Sequence, residues 1–185
     1  ELLSQWGKEK VIDVSVVDAI ELDGSIVSST RVRTLIKVGE VGEAARMLGR
    51  YYYLNGEVIV GDGRGRTLGY ATANLSPEPA GILLPGNGVY VVKTRIDSVW
   101  HMGVASVGTN PTFPGERARR VEVHLLDMDE NLYGQTVRVA FCHFLRPELV
   151  FSSKEDLILQ MEKDILRARE ILREDFLADQ LPNWA

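Results

Sequence analysis

Apolar positions along this chain change their spacing at about residue 50 and again at about residue 152. In the first stretch, Val11-Ile12-Asp13-Val14-Ser15-Val16-Val17 is a short apolar run that predicts a strand, and Asp23-Gly24-Ser25 is a polar turn. Ser28-Ser29-Thr30 offers N-cap hydroxyls ahead of Val32, Leu35 and Ile36, a spacing that predicts a short helix interrupted at Gly39. Glu43 to Leu48 predicts a second short helix, with Gly49 placed to end it. This stretch holds too little apolar surface to stand as a domain by itself.

The middle of the chain alternates on a period of two. Runs rich in Val, Ile, Tyr and Phe, bounded by Gly, Asp, Asn and Pro, predict strands at Leu54–Val60, Val89–Ile96, Val99–Val107, Val121–Leu126 and Thr136–Phe144. Asp97-Ser98 is a two-residue hairpin connection, and Asp129-Glu130-Asn131 marks another reversal. Short strands in succession, with no helices between them, predict an antiparallel barrel or sandwich and not a βαβ fold. The last element has helical spacing. Ser152 and Glu155 form a capping-box pattern, and Leu157, Met161, Ile165, Ala168 and Leu172 then share one face, predicted to seal a flank of the barrel. The tail from Asp179 to Ala185, with Pro182, is expected to fray.

Composition narrows the classes. The chain has 185 residues, 45% hydrophobic and 25% charged, enough apolar content for one full core and too much for disorder. No apolar run approaches the roughly 20 residues of a membrane-spanning helix, and Lys8-Glu9-Lys10 occupies the place where a signal peptide would be apolar. One cysteine allows no internal disulfide, and three histidines allow no rich metal cluster, so a cytoplasmic setting is expected. The net charge of −5 lowers the expectation of a nucleic-acid partner; beyond Arg117, Arg119 and Arg120 no basic cluster stands out for an OB-type nucleic-acid barrel.

Three segments could carry chemistry. Gly61-Asp62-Gly63-Arg64-Gly65-Arg66-Thr67-Leu68-Gly69 places four glycines in nine positions directly after a strand. Its amides can approach an anion closely, with Arg64 and Arg66 adding charge, although no Lys-Ser or Lys-Thr follows as a Walker A loop requires. Composition alone favours the plainer account, an exposed hairpin loop with solubilising arginines. Thr72 and Asn74 are two apart and point the same way in an extended backbone, offering hard neutral oxygens suited to Mg²⁺ already seated on phosphates. An Asx turn at a strand end explains them equally well. Glu122 and His124 share one face of their strand while Val121, Val123 and Leu125 take the other. Glu122 could accept a proton from a hydroxyl nucleophile, but spacing alone favours an outward pair on a half-exposed sheet. Cys142 and His143 face opposite sides, His101 has no identifiable partner, and Arg146-Pro147-Glu148 is either a loop cation for a ligand or a surface turn.

In order along the chain, these pieces resemble the riboflavin kinase family, and in particular the C-terminal kinase module of bacterial bifunctional riboflavin kinase/FAD synthetases. The resemblance runs from about Gly49 to Arg169. It includes the glycine-rich segment, Thr72-Ala73-Asn74, Gly88-Val89-Tyr90-Val91, Gly108-Thr109-Asn110-Pro111-Thr112-Phe113, Glu122-Val123-His124-Leu125-Leu126-Asp127, Leu132-Tyr133-Gly134 and Leu145-Arg146-Pro147-Glu148. Val27-Ser28-Ser29-Thr30-Arg31-Val32-Arg33 resembles the Ser-Ser-Thr-x-x-Arg motif that closes the family's FMN adenylyltransferase module, whose His-x-Gly-His loop is absent from this sequence.

The resemblance implies a mainly β fold, an antiparallel Greek-key-type β-barrel flanked by a long C-terminal α-helix, with a short α/β N-terminal remnant. Residues 1–48 would be the end of an adenylyltransferase domain and 49–185 the kinase domain. The implied activity is transfer of the γ-phosphate of ATP to the ribityl 5′-hydroxyl of riboflavin, giving FMN. Glu122 would be the catalytic base, and Thr72 and Asn74 would hold Mg²⁺. Gly61, Gly63, Arg64 and Gly65 would cover the nucleotide, with Arg146 and the region beyond it helping to bind flavin. The expected partners are ATP/ADP and riboflavin/FMN, with no nucleic acid and no membrane, together with an N-terminal adenylyltransferase domain in a longer protein. FAD synthesis by these residues alone is not expected. The competing reading is a flavin-binding barrel without turnover. One departure stands out: Ala71 occupies the position of the proline in the family's Pro-Thr-Ala-Asn, a change worth ~0.5–1 kcal/mol of preorganisation, so altered loop order with retained activity is expected.

Overall fold

The computed structural model describes residues 2–15, 17–61, 65, 69–78, 81–109 and 119–177. Helix α1 (Leu2–Lys10) precedes a two-stranded hairpin, β1 (Glu21–Leu22) and β2 (Ser25–Ile26), and two short helices follow, α2 (Ser29–Val38) and α3 (Val41–Leu48). Among the described residues of the predicted strand over 11–17, no strand is formed. The described residues there are irregular, with Val11 at φ 58°, and Val11 and Val17 are exposed. An apolar run without a pairing edge has no ladder to join. The signals around it hold. Asp23 and Gly24 both adopt positive φ in the hairpin turn, the Arg31 N–H donates to the Ser28 hydroxyl, and α2 and α3 end at left-handed Gly39 and Gly49.

Six antiparallel strands then close a barrel: β3 (Tyr52–Ile59), β4 (Ala73–Glu78), β5 (Gly88–Ile96), β6 (Val99–Thr109), β7 (Arg119–Leu125) and β8 (Thr136–Arg146), in the order β3-β4-β7-β6-β5-β8. Within that ring β8 lies beside β5, β5 beside β6 and β6 beside β7, the spatial order of a Greek key. The five strands expected between Leu54 and Phe144 are present within a few residues. β4 is foreshadowed in the sequence only by the extended entry at Thr72–Asn74. Pro77 falls where β4 still pairs with β3 but its ladder with β7 has ended at Leu75, so the missing N–H breaks no bond on the β7 side.

Alternation divides the strands between two cores. Leu54, Leu75, Tyr90, Val107, Val121, Val123, Val139 and Phe141 pack inside the barrel, and Val41 of α3 joins them. Tyr90 meets Phe141 and Phe144 edge to face, and its hydroxyl donates to the Gly86 carbonyl at 2.5 Å. The long helix α4 (Lys154–Leu177) lies against the outside, where Ala168 and Leu172 are buried with Val91 and Cys142. Its start corrects the expected capping box. The helix begins at Lys154, and the Ser153 hydroxyl accepts the Asp156 N–H at 3.1 Å, while Ser152 donates to the Asp156 carboxylate instead. The cap is therefore one residue later, in the register Ser153/Asp156. The tail from Asp179 to Ala185, where fraying is expected, lies outside the described residues. Among the described residues no helix is long and apolar enough to cross a membrane.

Candidate active site

The outer face of the barrel carries a single row of side chains across five strands. Asn74 of β4 is opposite Glu122 of β7, Glu122 opposite Ser106 of β6, Ser106 opposite Val89 of β5, and Val89 opposite Arg146 of β8. Directly opposed residues point to the same face, with Cβ atoms about 4.5–5.5 Å apart. Four of the five, all but Asn74, line one cavity of about 270 Å³ between the strands and α4. Thr72, Gly65 and His124 line it from the β4–β7 side, and Leu157, Met161, Asp164 and Ile165 of α4 from the other. Glu122 does face outward, as its spacing indicated, but under a helix and not into open solvent.

Local sequence explains why each group stands where it does. β7 alternates buried Val121, Val123 and Leu125 with half-buried Glu122 and His124, so the inner core fixes the direction of the outer pair. Asn74 is only 7% exposed, and its Oδ1 is buried without a hydrogen-bond partner among the described residues. Gly61 lies flush against that amide, where a Cβ would come within 2.0 Å of Nδ2. Gly65 is equally confined: a Cβ would lie 2.3 Å from the Tyr70 carbonyl and 3.1 Å from the Thr72 side chain. These two glycines are required by close approach. The glycine-rich segment and the carboxylate strand thus reach the same cavity through Gly65 and Glu122. Gly63 and Arg64 lie outside the described residues.

Arg146 forms the opposite wall. Its Nε and Nη2 donate to the Asp164 carboxylate at 3.0 and 2.7 Å, and Gln160 donates to the same carboxylate at 2.9 Å. The side chains of Arg146 and Asp164 are 16% and 7% exposed, so the pair is nearly dry and geometrically fixed. Asp164 escaped the sequence reading, yet a signal was present: a carboxylate beside Ile165 and a turn beyond Met161, within the apolar stripe of an amphipathic helix. Glu148, Leu149 and Phe151 complete the cavity after β8, with Glu148 accepting from Asn87 at 3.2 Å. Further along α4, Arg169 clamps Asp127 through two hydrogen bonds of 2.7 and 2.8 Å, which holds that exposed carboxyl below the usual carboxylate range.

The donor set fits a magnesium ion that arrives with phosphates. Asn74 Oδ1 is a buried oxygen with no hydrogen-bond partner among the described residues, and Thr72 offers a second neutral oxygen two residues away. Among the described residues no three His, Cys, Asp or Glu side chains gather as a self-sufficient metal cage. Mg²⁺ is characteristically held by one or two protein oxygens together with substrate phosphates.

Known proteins resemble this chain over the same region. Residues 48–172 match the flavokinase family model, described as riboflavin kinase. The chain is 42% identical over 152 residues to the bifunctional riboflavin kinase/FMN adenylyltransferase of Listeria monocytogenes, a match covering 82% of this chain and 48% of that protein. It is 41% identical over 150 residues to the protein of the same name from Haemophilus influenzae, covering 80% and 47%. Among solved structures, a crystal structure named as a macrolide-efflux protein from Streptococcus pneumoniae superposes with a TM-score of 0.77 at 38% identity, covering 83% of this chain and 50% of that one. The chain spans about half the length of the curated relatives it matches.

Proposed function

The chain belongs to the riboflavin kinase family, and from that premise we propose that it transfers the γ-phosphate of ATP to the ribityl 5′-hydroxyl of riboflavin. The products are FMN and ADP. The observation that carries this reading is the convergence of Glu122, Thr72, Gly65 and Arg146 on one cavity, with Asn74 in register beside Glu122.

Phosphoryl transfer requires positioning and charge stabilisation more than covalent help from the protein. The 5′-oxygen attacks the γ-phosphorus while the bond to the β–γ bridging oxygen breaks. The hydroxyl proton passes to a Glu122 carboxylate oxygen, and the released charge resides on ADP. Thr72 Oγ1 and Asn74 Oδ1 would hold Mg²⁺, which when bound neutralises charge on the phosphates. Gly65, and Gly61 against Asn74, let the backbone come close to the nucleotide. Gly63 and Arg64 would complete that covering segment. The dry Arg146–Asp164 pair and the apolar residues Leu157, Met161 and Phe151 form the flavin side. In this reading residues 1–48 are the end of an adenylyltransferase module, as in the bifunctional relatives, and the setting is cytoplasmic.

The test is a Glu122→Gln exchange, read by FMN formation from riboflavin, ATP and Mg²⁺. Turnover should fall about 10²–10⁴-fold, the scale of a lost general base, with both substrates still bound. Wild-type turnover in the variant would remove Glu122 from the mechanism. Flavin binding without FMN formation by the unaltered protein would favour the flavin-binding barrel instead.

A further inference from the structure

His124 lines the same cavity as Glu122, two residues along β7, yet the proposed chemistry gives it no task. Its Nδ1 lies 2.8 Å from the carbonyl oxygen of Ala71. A carbonyl only accepts, so Nδ1 carries the proton and donates, which fixes the tautomer of the neutral ring. The partner's position gives this bond its meaning. The backbone ladder between β4 and β7 ends with Ala73 opposite Val123, so Thr72 and Ala71 lie beyond the last paired residue. Past that point the imidazole takes over the work of the ladder, holding the carbonyl next to Thr72.

The contact continues into the glycine-rich segment. The Tyr70 ring meets the imidazole edge to face, with centroids 5.5 Å apart. The Tyr70 N–H donates to the Gly65 carbonyl at 2.8 Å, and Gly65 packs directly on Thr72. A continuous chain of contacts therefore runs from β7 through His124, Ala71 and Tyr70 to Gly65 and back to Thr72.

We propose that His124 is a positioning residue, a latch that fixes Thr72 and Gly65 relative to Glu122 and so prepares the nucleotide side of the cavity. The role assigned to it rests on the kinase reading above. Arg146 and Asp164 lie across the cavity and are bonded to each other, so the flavin side should be indifferent to the latch.

Two variants separate the hydrogen bond from mere bulk. His124→Leu keeps apolar volume beside Tyr70 and removes the donor. His124→Asn keeps an N–H at the same number of bonds from Cα as Nδ1. Magnesium-ATP affinity should weaken about three- to tenfold in His124→Leu, the scale of one lost hydrogen bond, both as KM and in direct calorimetric binding. Riboflavin KM should stay at its wild-type value, and His124→Asn should recover most of the loss. Unchanged nucleotide affinity in His124→Leu overturns the latch, whether or not turnover is seen. An Asn variant as impaired as Leu also overturns it, as does a parallel loss of affinity for both substrates. Absence of FMN formation by the unaltered protein defeats the kinase reading instead, whatever the binding data show.

Discussion

Ala168 and Leu172 of α4 are buried against Val91 and Cys142, whereas one to three turns earlier Leu157, Met161 and Ile165 stand over a cavity of about 270 Å³. Both halves present apolar residues to the same barrel face. The difference lies in what occupies the space between. At Ala168 no side chain extends beyond Cβ, so helix and strands close to van der Waals contact. At Asp164 a carboxylate reaches for Arg146, and the guanidinium with its partner keeps the surfaces apart while remaining almost dry. One amphipathic stripe thus serves as a core element along half its length and as the wall of a site along the other. A single polar residue within the stripe marks the changeover.

The largest effect should come from cutting that marker. Asp164→Ala leaves the Arg146 cation nearly buried without its partner, a change that costs about 3–5 kcal/mol. Urea unfolding should show it, and riboflavin KM should rise in the same variant. Leu172→Ala tests the other half. It should lower stability by about 2–3 kcal/mol through lost burial and a partly relaxed cavity, with both KM values unchanged wherever the protein remains folded. If Leu172→Ala disturbed kinetics as much as Asp164→Ala does, the two halves would not be separable.

The smallest effect concerns the interior and sharpens the contrast between an apolar core and a dry polar pair. Burial pushes the Tyr90 phenol up to about 12, with Arg119 partly opposing and Glu40 reinforcing the shift. The neutral form is favoured in the fold, so this contribution is complete below about pH 10. It should disappear as pH rises through about 12. Tyr90→Phe should cost about 1 kcal/mol near neutrality through loss of the bond to Gly86. Its melting temperature should then fall less steeply than that of the unaltered protein between about pH 10 and 12.

Much of the barrel was legible because alternation with Val, Ile and aromatic residues is imposed by a sheet buried on one face, and because turns such as Asp97-Ser98 demand particular residues. The pairing of Glu122 with His124 on one face followed from the same period. Which strands distant in sequence would adjoin was not legible from local pattern: Asn74 meets Glu122 only through a non-local β4–β7 pairing. The helix over the outer face decided whether Glu122 met solvent or a cavity, and that also depends on tertiary packing. Val11 to Val17 misled for the converse reason, since apolar content predicts a strand only where a partner edge exists. At Ser152 and Ser153 two hydroxyls competed for one cap, and the neighbouring Asp156 decided between them.

Cys142 is the chain's only cysteine and is fully buried in the cluster that Ala168 and Leu172 of α4 form with Val91. A thiol reagent can meet it only when that contact opens, because a thiol enclosed in this way is otherwise inert. The rate of chemical labelling in the native protein therefore measures how often the helix lifts from the strands, without any introduced probe. Substrate-induced slowing of that rate would register tightening at the cavity some turns away.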